Sequence, residues 1–351
     1  MRITSPMLCL FLLMPVLAFG RAEFKIVTAS ERGTYIQIGR DLAKWVADPA
    51  GVDLEVLPSK GSAENVQRLR YEPGVKFALV QSDVYQAFLD QAAAGNRQAG
   101  EMIKPLRVIL PLYNEEIYFV ARADSPLTYI HEIKDKKLNV GPVGSGTALS
   151  ATTLYRLMFG QSVPDANASY LSNEEALSKL ISDTSLDVVV IVAGQPAKLF
   201  ADMKPEARQY IKLLRLDDKA PETAQATKTY FPATIRSSSY PSWLTEDVPT
   251  LTVKAFLVTY DYNLQATKTY LNRFAQSLCV NFDALQGQGH PKWREVKMEL
   301  PSLGKGWSYY PPMERELRTC VARRAAAPKP APRPVAKECT QQERVLGLCG
   351  N

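Results

Sequence analysis

Short apolar runs alternate with helical patterns along most of this chain, and that rhythm limits the folds open to it. Residues 24–28, 52–57, 76–80 and 106–112 read as strands. Between them, Tyr35, Ile38, Leu42 and Trp45 recur at helical spacing, and Val66 and Leu69 share one face of a short helix. Ser82 stands where it would cap a helix that ends near Gly95. A β-α-β-α-β order implies an open, mostly parallel sheet with helices on its faces. Ligands of such sheets sit beyond the carboxyl ends of the strands. Residues 30–35, 59–65 and 81–83 occupy that kind of position.

Residues 117–122 then read as an extended stretch leaving the first lobe, and a second unit follows. A strand at 138–140 runs into Gly141-Pro142-Val143-Gly144-Ser145-Gly146-Thr147, and a helix over 148–159 stops at Gly160, a suitable C-terminal cap. Glycines let backbone approach a ligand, the first helical N–H groups lack partners, and the helix dipole is positive there. With the hydroxyls of Ser145 and Thr147 this makes a site for a small anion, most simply a carboxylate. The plainer alternative is that Ser145 or Thr147 only caps its own helix. Ser172-Asn173-Glu174-Glu175 has a capping-box pattern. Residues 186–192 form an unbroken apolar run, as expected of a strand covered on both faces. That run ends in Ala193-Gly194-Gln195-Pro196, with Pro196 suited to the first turn of a helix. Residues 211–216 read as a strand, 220–248 as irregular, 251–259 as a strand returning to the first lobe, and 264–282 as helical.

The ends carry different signals. Arg2, an apolar run over 7–17 and the small-x-small Ala18-Phe19-Gly20 read as a cleavable secretory signal over residues 1–20. No stretch approaches the ~20 apolar residues of a membrane span, and Pro6-Met7-Leu8 before Cys9 is not a lipoprotein signal. Of the formal net +6, one charge belongs to Arg2 and a net four to residues 321–351, so the body between is close to neutral. That argues against nucleic acid as a partner. Residues 321–336 are alanine, proline and basic, a semi-stiff linker. Four cysteines remain without the signal: Cys279, Cys320, Cys339 and Cys349. An even number in an exported chain points to disulfides, with three pairings open. The favoured one joins Cys279 to Cys320 and Cys339 to Cys349. No C-x-x-C occurs and there are two histidines, so no metal and no cofactor is expected.

Taken in order, Gly33-Thr34-Tyr35, Gly61-Ser62-x-x-Asn65, Gln81-Ser82-Asp83-Val84, Gly141-Pro142-x-Gly144-Ser145-Gly146-Thr147 and Gly194-x-Pro196 form a series that resembles the TAXI family over residues 24–282. These are the extracytoplasmic solute-binding subunits of tripartite ATP-independent periplasmic (TRAP) transporters. The resemblance implies an α/β, two-lobed, type II (Venus-flytrap) periplasmic-binding-protein architecture with mostly parallel sheets. Lobe 1 would comprise 23–116 and 259–320, lobe 2 would comprise 117–258, and 321–351 would be a tail. The implied protein is a periplasmic, monomeric, non-enzymatic binder of a small organic anion or amino acid, partnered by a TRAP permease.

The first loop departs from the family pattern in having less glycine, and Lys60 stands where a small residue is usual. Arg32 or Lys60 would pair with a ligand carboxylate and Glu31 with an ammonium group, unless all three face solvent. Thr34, Tyr35, Ser62, Asn65, Gln81 and Ser82 are the expected ligand residues of lobe 1. Ser145, Gly146, Thr147, Gly194 and Gln195 are those of lobe 2. Asn65 alternatively braces its loop, Asp83 caps a helix, and Gln81 holds the lobes in register. Hinges are expected near 118–121 and 256–259. Two rivals stand beside transport: a binding protein reporting to a sensor kinase, and an exported serine hydrolase. The hydrolase reading needs Ser145 as nucleophile and His131 or His290 as base, and its frame misses the first glycine of a nucleophile elbow.

Overall fold

Two strands far longer than the rest organise the computed structural model, which describes residues 20–31, 33–183, 185–304 and 306–326. They are Leu106–Arg122 and Val248–Tyr260, and they lie side by side, antiparallel, from one lobe into the other. In chain order, lobe 1 is built from β1 (Ala22–Val27), α1 (Thr34–Leu42), β2 (Val52–Leu57), α2 (Ser62–Tyr71), β3 (Val75–Gln81), α3 (Val84–Ala93) and α4 (Arg97–Ile103). The first long strand, β4 (Leu106–Arg122), carries the chain across. Lobe 2 holds β5 (Leu138–Asn139), α5 (Gly146–Phe159), β6 (Ala168–Ser169), α6 (Asn173–Ser182), β7 (Val188–Ala193), α7 (Lys198–Ala201), β8 (Ile211–Leu213), α8 (Pro221–Ala226) and β9 (Phe231–Ile235). The second long strand, β10 (Val248–Tyr260), returns, and α9 (Gln265–Val280), α10 (Phe282–Gln288) and α11 (Pro311–Ala326) close lobe 1.

The strand order is β2-β1-β3-β10-β4-β7-β5-β6, with β8 on β4 and β9 on β10. Inserting the returning strand between the third and fourth strands of lobe 1 is the type II periplasmic-binding-protein arrangement. The sheet is mixed, where a mostly parallel one was expected. β1 is parallel to β2 and β3, and β5 to β6 and β7, but β10 is antiparallel to β3, β4 and β9, and β4 to β7 and β8. The reason is geometric: a strand that returns beside the one that left must run the opposite way.

The cores locate the lobes. Phe77 stacks on Phe274 at 4.4 Å in a core shared by α1, β3 and α9. On β4 the lobe 1 core ends at Tyr113 and a lobe 2 core begins at Ile117; on β10 the change falls between Val253 and Ala255. The crossing is therefore polar: Asn114, Glu115 and Glu116 face Lys254, Val253 and Thr252. The expected hinge stretches lie inside cores instead. Tyr118, Phe119, Val120 and Ala121 pack in lobe 2, and Phe256, Leu257 and Val258 in lobe 1. An apolar strand does not reveal from its composition where its packing partners change.

Local expectations differ in three places. Ser82 caps nothing, because its Oγ accepts from the Lys254 N–H at 3.2 Å while α3 begins at Val84. The helix after Pro196 begins only at Lys198. Residues 220–248 contain α8 and β9. Among the described residues no helix is long and apolar enough to cross a membrane. Residues 1–19 of the expected signal, Cys339, Cys349 and the tail beyond Ala326 lie outside them; residues 321–326, expected to open the extended linker, are instead the end of α11, whose buried Met313, Leu317 and Cys320 hold it on lobe 1.

Cys279 on α9 is joined to Cys320 on α11, closing a loop of sequence separation 41. Loop-closure entropy of that length corresponds to about 4 kcal/mol of unfolded-state destabilisation. Reduction of the intact protein is expected to lower its unfolding free energy by roughly 2–4 kcal/mol, read as an earlier urea midpoint with and without reductant. An unmoved midpoint would show that α9 and α11 are held by packing alone.

Candidate functional site

Between the lobes lies a cleft of about 450 Å³ at the carboxyl ends of β1 and β3. Seven of the expected residues line it: Thr34, Tyr35, Ser62, Gln81, Ser145, Gly146 and Thr147. The lobe 2 wall is the start of α5, a helix of 14 residues. Ser145 is its N-cap, and the Ala148 N–H donates to Ser145 Oγ at 3.0 Å. The Leu149 N–H donates to the Ser145 carbonyl. Among the described residues no acceptor takes the N–H groups of Gly146 and Thr147. Two donors at the positive end of a long helix are thus left without a protein acceptor, on residues that line the cleft. Thr147 Oγ1 accepts from the Val192 N–H at 3.2 Å, tying this turn to the end of β7.

Glycine is demanded on both sides of the contact between lobes. A Cβ on Gly146 would stand 2.0 Å from Gln81 Oε1 and 2.8 Å from Ser62 Oγ. Gly61 faces it with φ of +123°, where an L side chain is strained, and a Cβ there would lie 3.0 Å from the Gly146 nitrogen. Backbone meets backbone here, which is how the turn reaches the floor of the cleft.

That floor holds a residue the sequence reading did not single out. Glu115, on β4 at the crossing, is only 4% exposed and lines the cleft. Tyr35 donates its hydroxyl to Glu115 Oε2 at 2.6 Å. Burial pushes the Glu115 carboxyl up to about 8, against the Tyr35 hydrogen bond and the Lys292 charge, which favour ionisation. Burial and the Glu115 charge hold the Tyr35 phenol well above its ordinary value. The signal was available: two adjacent glutamates in the middle of the apolar run Leu106–Arg122. Side chains alternate along a strand, so Glu116 turns to the other face. There it accepts from the Gln195 N–H and from Gln195 Nε2, both at 2.9 Å, with Lys292 Nζ 3.9 Å away.

Four expected residues are placed outside the cleft lining. Asn65 donates Nδ2 to the carbonyls of Thr28 and Leu79, at 2.5 and 2.7 Å, and accepts from Ser59 Oγ at 2.6 Å, bracing the loop. Ser82 bonds β10. Gly194 packs against Lys292 and Tyr113. Besides its two bonds to Glu116, Gln195 donates to the Thr234 carbonyl and accepts from the Arg236 N–H. Of the charged candidates, Glu31 and Lys60 line the cleft, and Arg32 lies outside the described residues. Ser30, in the stretch 30–35 expected at the strand ends, lines it too, and Ser172, Asn173 and Glu174 line it unanticipated.

A family model described as the NMT1-like family matches residues 26–290. The chain belongs to the NMT1-like family. Solved structures similar to this NMT1-like chain include the periplasmic binding protein BugD, at 14% identity over 88% of this chain and 97% of that one, TM-score 0.47. A putative periplasmic sulfonate-binding protein SsuA from Methylobacillus flagellatus is 14% identical over 87% of each chain, TM-score 0.44. A TctC solute-binding protein from Polaromonas is 15% identical over 89% of this chain and 100% of that one, TM-score 0.40. Likenesses this low identify neither a ligand nor a transporter.

Beside the cleft of this NMT1-like chain, a buried acid of lobe 1 lies against lobe 2. Asp83 of lobe 1 accepts from Ser150 Oγ at 2.6 Å and from the Tyr230 hydroxyl at 2.9 Å, both in lobe 2. Its Oδ1 is buried without a partner among the described residues. Burial raises its carboxyl from 3.8 to about 6, outweighing the hydrogen bonds from Ser150 and Tyr230. In an open form Asp83 would meet water and titrate near its ordinary value. Closure therefore binds a proton. It is least costly below the ordinary aspartate range and becomes costlier, by about 3 kcal/mol, as the pH rises through about 6. Small-angle scattering of the ligand-free protein should show a more compact form at about pH 5 than at about pH 7.5. Asp83→Asn should remove the difference. A pH-dependent size that survives in Asp83→Asn would place the titration elsewhere.

Proposed function

We propose that this chain is an extracytoplasmic solute-binding protein that captures a small carboxylate, such as a dicarboxylate, a keto acid or an acidic amino acid, between two closing lobes. We further read it, on its TAXI-like motifs, as the monomeric binding subunit of an ion-gradient-driven, TRAP-type importer. One observation carries the proposal: Gly146 and Thr147 of α5, whose N–H groups no described residue engages, line a cleft walled by both lobes. A carboxylate there takes two hydrogen bonds and the helix dipole at once. The hydroxyls of Ser145 and Thr147 already accept bonds, which leaves each its proton to donate. Contacts from both lobes favour the closed form over the open one, so binding shifts that equilibrium, and a permease would read the closed shape.

The geometry weighs against the hydrolase. Neither histidine lines the cleft. His131 stacks on Tyr129 with ring centroids 5.6 Å apart. His290 Nδ1 accepts from the Lys292 N–H, and burial lowers its proton affinity. Ser145 Oγ is the cap of its helix rather than the partner of an imidazole.

The test is thermal stabilisation of refolded, ligand-stripped protein by dicarboxylates, keto acids and amino acids. A ligand at ~100 times its Kd adds about 2.7 kcal/mol. A strong shift with one class is expected, reduced at least tenfold in affinity by Ser145→Gly with Thr147→Val. Glycine at an N-cap costs the helix only a few tenths of a kcal/mol, whereas Thr147→Val also removes the acceptor of the Val192 N–H, so Ser145→Gly alone is the arm that reports a hydroxyl. Absence of a shift with every small carboxylate would sink the proposal.

A further inference from the structure

We propose that Glu115 is an ammonium-binding subsite, so that the preferred ligand is a zwitterionic amino acid rather than its oxo acid or a plain dicarboxylate. This rests on the solute-binding reading above and narrows it.

Glu31 and Glu115 line the cleft, and among the described residues Lys60 is the one cation that does. A ligand with one negative and one positive end matches both features of the wall: its carboxylate lies on the N–H groups of α5, and its ammonium on a carboxylate.

Glu115 is the carboxylate built for that task. It is 4% exposed, on a strand rather than a loop, and fixed by the 2.6 Å hydrogen bond from Tyr35 to Oε2. Oε1 accepts no hydrogen bond from any described residue, and it is not among the sealed, unpartnered atoms of the interior. A buried acid with one oxygen held and the other open to a cavity keeps its proton unless a cation pairs with it. The groups around it do not supply the pair. Lys292 acts on it through space but forms its ion pair with Glu295, at 2.7 Å, on the far side of β4. Glu116 and Asp83 both disfavour its charge, and Tyr35 and Tyr113 are neutral hydroxyls with raised proton affinity. An ammonium ion of the ligand, with three donors, would pair Oε1 and displace the proton that Glu115 holds in the empty cleft. Amino-acid binding is then accompanied by release of up to one proton from Glu115.

The experiment is titration calorimetry of the full chain at about pH 7.5, in two buffers of different ionisation enthalpy. The probes are matched sets: glutamate with 2-oxoglutarate, alanine with pyruvate, leucine with its 2-oxo acid, and γ-aminobutyrate with succinate. Expected is one amino acid bound at least tenfold more tightly than its oxo or dicarboxylate partner, with proton release. Glu115→Gln should weaken that amino acid at least tenfold and leave the partner within about twofold. Should Glu115→Gln fail to fold, Tyr35→Phe serves. Losing the Tyr35 bond raises the Glu115 proton affinity, so amino-acid binding should weaken at neutral pH and recover near pH 9.

An oxo acid or dicarboxylate that binds as tightly as the amino acid, with proton uptake, would overturn the inference: Glu115 would then be a protonated donor to an anion. Insensitivity of amino-acid binding to Glu115→Gln, or to Tyr35→Phe across that pH range, would overturn it equally. Either result leaves the solute-binding reading standing. Failure of every probe to bind would overturn that reading and this inference with it.

Discussion

The molecule depends on two adjacent carboxylates buried where β4 passes from one lobe to the other. Alternation along a strand sends Glu115 toward the cleft and Glu116 to the opposite face. Glu116 takes two hydrogen bonds from Gln195 in lobe 2 and stands 3.9 Å from Lys292, which belongs to lobe 1 and is itself 1% exposed. A buried ion pair of this kind contributes little net stability; Lys292 would keep Glu295 at 2.7 Å without Glu116, whereas removing Lys292 would leave Glu116 buried without a cation, at a cost of roughly 3–5 kcal/mol. Its value here is positional. Glu116 fixes the direction of the crossing strand, and with it the place where Glu115 meets the cleft. Thr252 Oγ1 donates to the Glu115 carbonyl at 2.7 Å, and Thr250 does the same at Ile117, so β10 is fastened to β4 on each side of the pair.

The same crossing explains how two lobes with separate cores act as one device. Where the cores change over, only strand backbone and polar side chains connect them, so bending there disturbs little packing. The contacts that closure makes are correspondingly sparse. Gly61 lies against Gly146, Leu149 of α5 inserts among Val66 and Val84 of lobe 1, Arg156 pairs with Asp90 at the rim, and Asp83 sits under Ser150 and Tyr230. The exposed Arg156–Asp90 pair adds at most about 1 kcal/mol. Leu149 supplies an apolar contact of the ordinary kind, and Asp83 opposes closure at neutral pH.

Much of this was legible in the sequence, for reasons that can be stated. Strand and helix alternation, the Gly144-Ser145-Gly146-Thr147 turn and the Cys279–Cys320 pairing are local or nearly so. They follow from periodicity, from glycine's freedom and from the small number of cysteines. What was less legible shares one cause, which is that a polar side chain's role depends on what lies across space. Ser82 and Gln195 follow strand ends and Asn65 lies in the first turn of α2, each in a motif that suggests a ligand. Each instead satisfies buried backbone or a buried acid brought in from distant sequence: Thr28 and Leu79, Lys254, and Glu116. Glu115 was passed over for the opposite reason. Its neighbours in sequence are apolar strand residues, and it acquires meaning only when α1 brings Tyr35 to it across 80 positions. Two ionisable residues inside an otherwise apolar strand were still a readable anomaly, since unpaired charge is not buried without a use.

Closure and recognition are then two parts of one balance. On the proposed reading, an empty closed form would leave the Gly146 and Thr147 donors and Glu115 Oε1 without a protein partner, and it would hold Asp83 with one oxygen unsatisfied. Each of these would oppose closure once water is shut out, and the contacts between lobes that offset them are sparse. A ligand that fills the first two changes the sign of the balance, because its hydrogen bonds are made in full only when both lobes surround it. Such a ligand has a large differential affinity for the closed form, the one property that lets it move a two-state equilibrium. A molecule meeting only one wall binds open and closed forms nearly alike and moves nothing. On that reading selectivity comes from what the closed cleft leaves unpaired, and the groups proposed for it here are a pair of backbone donors at one wall and a carboxyl oxygen at the floor.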